Sequence, residues 1–194
     1  MRHFRLRARL ATGLLVAAFL TPGTLLGAPP AGDTKDAQKA FPGAQGWAAR
    51  TPGGRGGRIL RVTTLLPAGP GSLGEALAAR GPRIVVFEVG GVIDLGKSVL
   101  KIEQPYLTIA GQTAPSPGIT LIRGGIELRT HDVIIQHLRV RAGDAGEARG
   151  SGWDMDTFST QAGAHDVVVD HCSMSWGIDE NLSASGPRFT GKTP

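Results

Sequence analysis

Four acidic side chains stand close together in the stretch Gly152 to Ala184, which reads GWDMDTFSTQAGAHDVVVDHCSMSWGIDENLSA. Asp154, Asp156, Asp179 and Glu180 are set around two short β-type runs. Stacked parallel strands lie about 4.8 Å apart, and a hard cation sits about 2.4 Å from each oxygen ligand, so carboxylates on neighbouring strands can share one ion. The chemistry this pattern predicts is calcium binding. Asp170-His171 is the other pair with chemical potential, because an imidazole beside a carboxylate titrates near neutral pH. His171, however, lies beside apolar strand positions, and the residue aligned with Asp170 one repeat earlier is Gln136, which predicts a stacked, satisfied polar pair. His131-Asp132 and His165-Asp166 read as turn residues at matching strand starts. Arg139 and Arg141 alternate on one strand face and suit surface ion pairs, with reach into a groove as the alternative.

Acids separated in sequence meet only if the strands carrying them stack, and the chain has a repeat that would stack them. Pro105-Tyr-Leu-Thr-Ile-Ala aligns with His131-Asp-Val-Ile-Ile-Gln at an offset of 26, and that segment aligns with His165-Asp-Val-Val-Val-Asp at 34. Leu107, Val133 and Val167 then coincide, as do Ile109, Ile135 and Val169. The longer second interval predicts a loop at Ala142 to Gly152, rich in Gly, Ala and charge, inserted into an otherwise similar turn. One helix is expected, over Leu73 to Arg80: Ser72 and Glu75 form a capping box, Leu73, Ala76 and Leu77 an apolar stripe, and Gly81-Pro82 a stop. Several strands per repeat without a helix between them exclude ordinary βαβ crossovers. The expected fold is all-β, a parallel β-solenoid with strands from about Arg83 onward and the short helix as its amino-terminal cap. A β-sandwich fits the strand lengths but not the aligned repeats.

The first 27 residues read as a secretory signal peptide, with Arg2, Arg5, Arg7 and Arg9 ahead of the apolar run Leu10 to Leu20 and a cut near Gly27-Ala28. Residues 28–39 form a polar lead, 40–186 the solenoid and 187–194 an irregular tail. The chain carries 21 basic and 16 acidic residues; without the four signal arginines 17 bases face 16 acids. The basic excess is therefore no face of the folded domain, and it argues against a nucleic-acid partner. Cys172, the single cysteine, reads as a buried thiol.

Ala40-Phe-Pro-Gly-Ala-Gln-Gly-Trp, Thr51-Pro-Gly-Gly-Arg-Gly-Gly, Gly69-Pro-Gly-Ser-Leu-Gly-Glu-Ala-Leu, Ile109-Ala-Gly-Gln-Thr-Ala-Pro, Leu138-Arg-Val-Arg and Val169-Asp-His-Cys-Ser-Met-Ser-Trp, in that order, resemble the pectate lyases of polysaccharide lyase family 1. The resemblance covers residues 40 to 186 and implies a right-handed parallel β-helix that cleaves polygalacturonate by calcium-dependent β-elimination. It implies further a secreted monomer that acts on an acidic polysaccharide and has no membrane partner once the signal is cut. Asp156 matches the acid that opens the family's metal site, and Asp179 the first acid of a later pair. The second acid of that pair is Ser183 here, so Glu180 or Asp154 is the substitute ligand. The family's base is an arginine from coils that follow. The tail with Arg188 and Lys192 lacks the alternation of another coil, so the chain is expected to be the amino-terminal part of a lyase, with its catalytic residue unassigned. Two other classes stay open: a noncatalytic solenoid that binds polysaccharide or a surface partner, and a glycosidase, which would need an acid and a base or nucleophile across the scissile bond.

Overall fold

The computed structural model describes residues 39–161 and 163–185. The expected signal peptide, most of the expected lead and the tail with Arg188 and Lys192 lie outside the described residues. Among those described, no helix is long and apolar enough to cross a membrane.

Among the described residues thirteen short strands, one α-helix and a 3-10 turn at Gly111–Thr113 follow one another, the strands and α-helix as β1 (Arg58–Val62), α1 (Leu73–Ala78), β2 (Arg83–Phe87), β3 (Gly91–Asp94), β4 (Val99–Ile102), β5 (Leu107–Ala110), β6 (Ile119–Ile122), β7 (Gly125–Leu128), β8 (His131–Gln136), β9 (Leu138–Arg141), β10 (Phe158–Thr160), β11 (His165–Asp170), β12 (Ser173–Ser175) and β13 (Ser183–Ala184). Every pairing between the described strands is parallel, and from β2 onward successive strands enter different sheets. The three sheets run β1-β2-β5-β8-β11, β3-β6-β9-β12 and β4-β7-β10-β13. This is a parallel β-helix: from β2 onward each coil contributes one strand to each sheet, and the backbone edge it exposes is paired by the next coil.

The register is the one the repeat predicts, with Leu107 beside Val133 and Val133 beside Val167, and Ile109 beside Ile135 and Ile135 beside Val169. Alternation explains it, since a one-residue slip would turn every apolar side chain outward. Inward residues from all three sheets form one core that includes Leu107, Ile109, Leu121, Ile126, Leu128, Val133, Ile135, Val140 and Phe158. The inserted loop is longer than expected and runs from residue 142 to 157 between β9 and β10. The corresponding turn one coil earlier holds only Arg123 and Gly124, which fits the larger second interval.

Two boundaries differ from the sequence expectation. β1 precedes the helix, so strands begin at Arg58 rather than near Arg83. The Gly-rich segment before β1 and the exposed residues within it hide the strand's apolar alternation. The helix ends at Ala78, with Ala79 extended at ψ 140°, two residues short of Arg80. Its cap is as expected in substance: Ser72 accepts from the Glu75 N–H at 3.1 Å, while Glu75 reaches back to the Gly71 N–H at 2.7 Å. Leu73, Ala76 and Leu77 are buried against the core.

Arg83 explains the early stop. Its side chain is fully buried, and its guanidinium donates to the carbonyls of Ala76 at 3.1 Å and Leu77 at 2.8 Å, at the helix C-terminus. It also donates to Gly81, Gln104 and Pro105. One cation therefore ties helix, strand and the next turn together through carbonyls that the helix itself leaves without donors.

Candidate metal centre

The acids assemble through strand register. In the third sheet Ser159 of β10 pairs with Ser183 of β13, an offset of 24. The same offset carries Asp156 to Glu180, and the Glu180 N–H donates to Asp156 Oδ1 at 3.0 Å. The two connections entering these strands are laced by their backbones: Ile178 N–H donates to the Met155 carbonyl at 2.9 Å and Thr157 N–H to that of Glu180 at 3.1 Å. Asp156, Asp179 and Glu180 thus present carboxylate oxygens that all lie within 4.8 Å of one another. Asp156 is half-buried, and the other two are exposed.

Asp154 is exposed and does not belong to this group. It lies two residues earlier, before the backbone lacing begins. Ser183 sits in β13, with its hydroxyl 3.2 Å from that of Ser185. Glu180 is the acid whose backbone N–H reaches Asp156, and Asp179, one residue earlier, belongs to the same group.

Three carboxylates this close cannot all ionise freely. The Glu180 carboxyl is pushed up to about 7, first by its hydrogen bond with Asp179, next by that with Asp156, and then by desolvation and the two negative charges. The donor chemistry fits a hard divalent cation, since oxygen donors carrying several negative charges gain most from an ion that replaces the shared proton.

Packing behind the acids sets their position. A Cβ on Gly125 of β7 would lie 2.0 Å from the Asp156 carbonyl oxygen, and Ile126 N–H donates to the Thr157 carbonyl at 3.0 Å. Only a glycine lets the coil carrying Asp156 settle this closely on the one before it. Within the long loop, Lys97 pairs with Glu147 and holds that carboxyl below its usual range, while Trp153 Nε1 donates to the Gly143 carbonyl at 2.9 Å.

The same sheet shows a column that the residue patterns did not reveal. Lys101, Glu127, Ser159 and Ser183 are neighbours in register across β4, β7, β10 and β13, and Arg129 pairs with Glu127 at 2.6 Å. Its offsets of 26, 32 and 24 do not repeat, and strands of two to four residues carry too little alternation to make the column visible.

The other candidates lie elsewhere. Asp170 and His171 are at the end of β11 in the first sheet, where Asp170 accepts from Gln136 Nε2 at 2.9 Å and meets His171 Nδ1 at 2.8 Å. The Gln136 hydrogen bond and then His171 hold the Asp170 carboxyl below its usual range against the opposing effect of desolvation. It is the stacked, satisfied pair expected. Arg139 and Arg141 belong to β9 in the second sheet and, among the described residues, make hydrogen bonds rather than the ion pairs expected of them. Arg139 donates to Thr120 Oγ1 at 2.8 Å, and Arg141 to the Ser173 carbonyl and hydroxyl at 2.6 and 2.8 Å. Their neighbours across the ladder offer carbonyls and hydroxyls, so the guanidinium groups bond along the sheet. Cys172 is half-buried, and burial pushes its thiol up.

No protein-family model matches the chain. It is 43% identical over 148 residues to a protein named probable pectate lyase C from Aspergillus terreus, covering 76% of this chain and 33% of that protein. A protein of the same name from Emericella nidulans is 42% identical over 164 residues, 84% of this chain and 37% of that one. The crystal structure of Jun a 1, the major allergen from cedar pollen, superposes with a TM-score of 0.57 at 24% identity, over 72% of this chain and 44% of that one, and shares the fold. The chain spans about a third of the length of the curated relatives it matches. Sequence identity and fold together make this chain a homologue of the pectate lyases over that third of their length.

Proposed function

We propose that this chain supplies the metal platform of a secreted pectate lyase that cleaves polygalacturonate by β-elimination. The observation that carries the reading is the convergence of Asp156, Asp179 and Glu180 at adjacent coils of a solenoid homologous to proteins named pectate lyase. These three residues would hold calcium; Asp154 stands outside their group and is the weakest of the four candidates. Bound calcium would neutralise the substrate carboxylate, so that the carbanion formed beside it is less costly. Asp156 stays fixed by the Glu180 N–H and by the close seat on Gly125, while Glu180 gives up its proton as the site fills. No side chain among the described residues is assigned as the base. The division into a signal peptide at 1–27, a lead at 28–39, a solenoid at 40–186 and a tail at 187–194 belongs to the same reading, as do export, monomeric state and the absence of nucleic-acid and membrane partners.

Two measurements test it. Calorimetry should show calcium binding that Asp156→Ala weakens by at least about tenfold, since loss even of an outer-shell partner typically costs that much. Equal affinity in a folded Asp156→Ala protein removes Asp156 from the site. Incubation of the chain extended through the coils expected to carry the base with polygalacturonate and calcium, followed by ultraviolet absorbance, should give an unsaturated uronide if the reaction is elimination. Saturated products would mean hydrolysis, and retention of polysaccharide without any product would favour the noncatalytic solenoid.

A further inference from the structure

A second set of possible metal ligands lies in a different sheet from the acids. His131 and His165 are register partners on β8 and β11, and their rings stack in parallel, with centroids 4.8 Å apart and planes within 1°. Each is followed by an aspartate with positive φ, 55° at Asp132 and 51° at Asp166, a conformation that aspartate tolerates better than most residues. That turn folds each carboxylate back onto its own histidine: Asp132 Oδ2 lies 2.7 Å from His131 Nδ1, and Asp166 Oδ2 lies 2.9 Å from His165 Nδ1. The buried Thr51 fixes the other oxygen of Asp132, donating from Oγ1 at 2.9 Å. Tyr106 sets its ring edge-on to His131, centroid to centroid 5.5 Å, and holds that ring from the side away from His165.

A carboxylate that accepts a hydrogen bond from Nδ1–H leaves the neutral ring with a bare lone pair on Nε2. Each ring has a carboxylate at Nδ1 and the two planes are parallel, so Nε2 is the nitrogen that each ring can offer to a ligand. A carboxylate behind a histidine is the usual support of a metal-binding imidazole, since it sets the tautomer and raises basicity. We propose that His131 and His165 form a site for a borderline divalent transition ion such as Zn2+, with Asp132 and Asp166 as its orienting groups. Two imidazole nitrogens on one tetrahedral Zn2+ lie about 3.4 Å apart, given a Zn–N distance of about 2.0–2.1 Å, so the rings must tilt toward each other. The His165 side chain is 60% exposed and has room to do so, while His131 stays held by Tyr106 and braced Asp132. Nitrogen donors select this class of ion, whereas the all-oxygen cluster of Asp156, Asp179 and Glu180 suits hard ions. The ion would join the last two strands of the first sheet.

The second stacked pair, His137 and His171 at 4.9 Å, is an internal control. His171 has the Asp170 carboxylate at Nδ1, but among the described residues no carboxylate orients His137 in the same way.

The test is zinc calorimetry in excess calcium, with Cu2+ electron paramagnetic resonance to count coordinating nitrogens. Both use the full chain carrying His3→Ala, because an amino terminus followed by His3 is itself a copper chelate. One zinc per chain and splitting from two nitrogens are expected. His165→Gln should abolish the site, Asp132→Asn should weaken it about 10- to 100-fold, and His171→Gln should leave it unchanged. Counting nitrogens separates this site from the carboxylates whether or not those bind calcium. Absence of saturable binding at millimolar zinc, a single coordinating nitrogen, equal affinity in a folded His165→Gln protein, or loss of the site in His171→Gln would each overturn the assignment.

Discussion

Glu180 lets the acidic cluster be tested without any substrate. Its carboxyl, pushed up to about 7 by Asp179 and Asp156, holds a proton in the folded protein at a pH where the unfolded chain has released it. The folded state therefore binds more protons, and the contribution of this group to stability is fully present below its ordinary value of 4.5 and lost as pH rises through 7. In metal-free protein, denaturant midpoints should fall between pH 5 and 8 in the wild type and much less in Glu180→Gln. Calcium should reverse the trend, because the ion replaces the proton. Calorimetry at pH 6 in buffers of different ionisation enthalpy should detect proton release on calcium binding by the wild type and its absence in Glu180→Gln. Proton release that is identical in the two would mean that another group carries the proton.

At the scale of elements, two contacts decide whether neighbouring pieces meet at all. Arg83→Ala removes donors from five carbonyls and leaves the helix C-terminus and the turn at Gln104-Pro105 without partners. Urea unfolding should show a loss of about 3 kcal/mol or more, the range for breaking a buried network of charged hydrogen bonds, with little recovery in Arg83→Lys, which lacks the planar fork. A loss below about 1 kcal/mol would mean that water replaces the guanidinium. Gly125→Ala is the complementary probe: its methyl group meets the Asp156 carbonyl, so the coil carrying Asp156 must move. Calcium affinity should fall more than stability, as read by calorimetry beside a melt, and unchanged affinity would show that the acids do not depend on this seat.

Across the whole molecule, protection should follow the stack. Coils in the middle are paired on both sides, and their inward residues Val85, Leu107, Ile109, Val133 and Ile135 are fully buried. In the last described coil Val167, Val169, Cys172 and Met174 are only partly covered, and Leu182 and Trp176 are exposed. A solenoid is stabilised by nearest-neighbour interfaces, so amide exchange should be slowest in β2, β5 and β8 and fastest in β11 to β13. Calcium should slow exchange at β10 and β13, the strands that follow the acids, and leave β2 unchanged. Uniform exchange over all coils would contradict this graded stability.

The sequence alone determined the elements whose physics is local or strictly periodic. The Ser72-Glu75 cap could be read because both partners lie within one helical turn, and the first sheet because strands of four to six residues hold enough alternation to align Leu107 with Val133 and Val167. The acids were nominated by type, and their grouping lay beyond that reading. Asp156 meets Glu180 because β10 and β13 pair at an offset of 24, and strands of three and two residues carry no period from which to read that offset. Arg83 looks like a surface charge at a strand start until the helix end and a turn from the next coil supply five carbonyls around it. Asp154 and Arg139 show the converse, with suitable chemistry but positions that tertiary structure places outside the acidic group. Residue type limits what a side chain can do, whereas the stacking of coils decides which side chains meet.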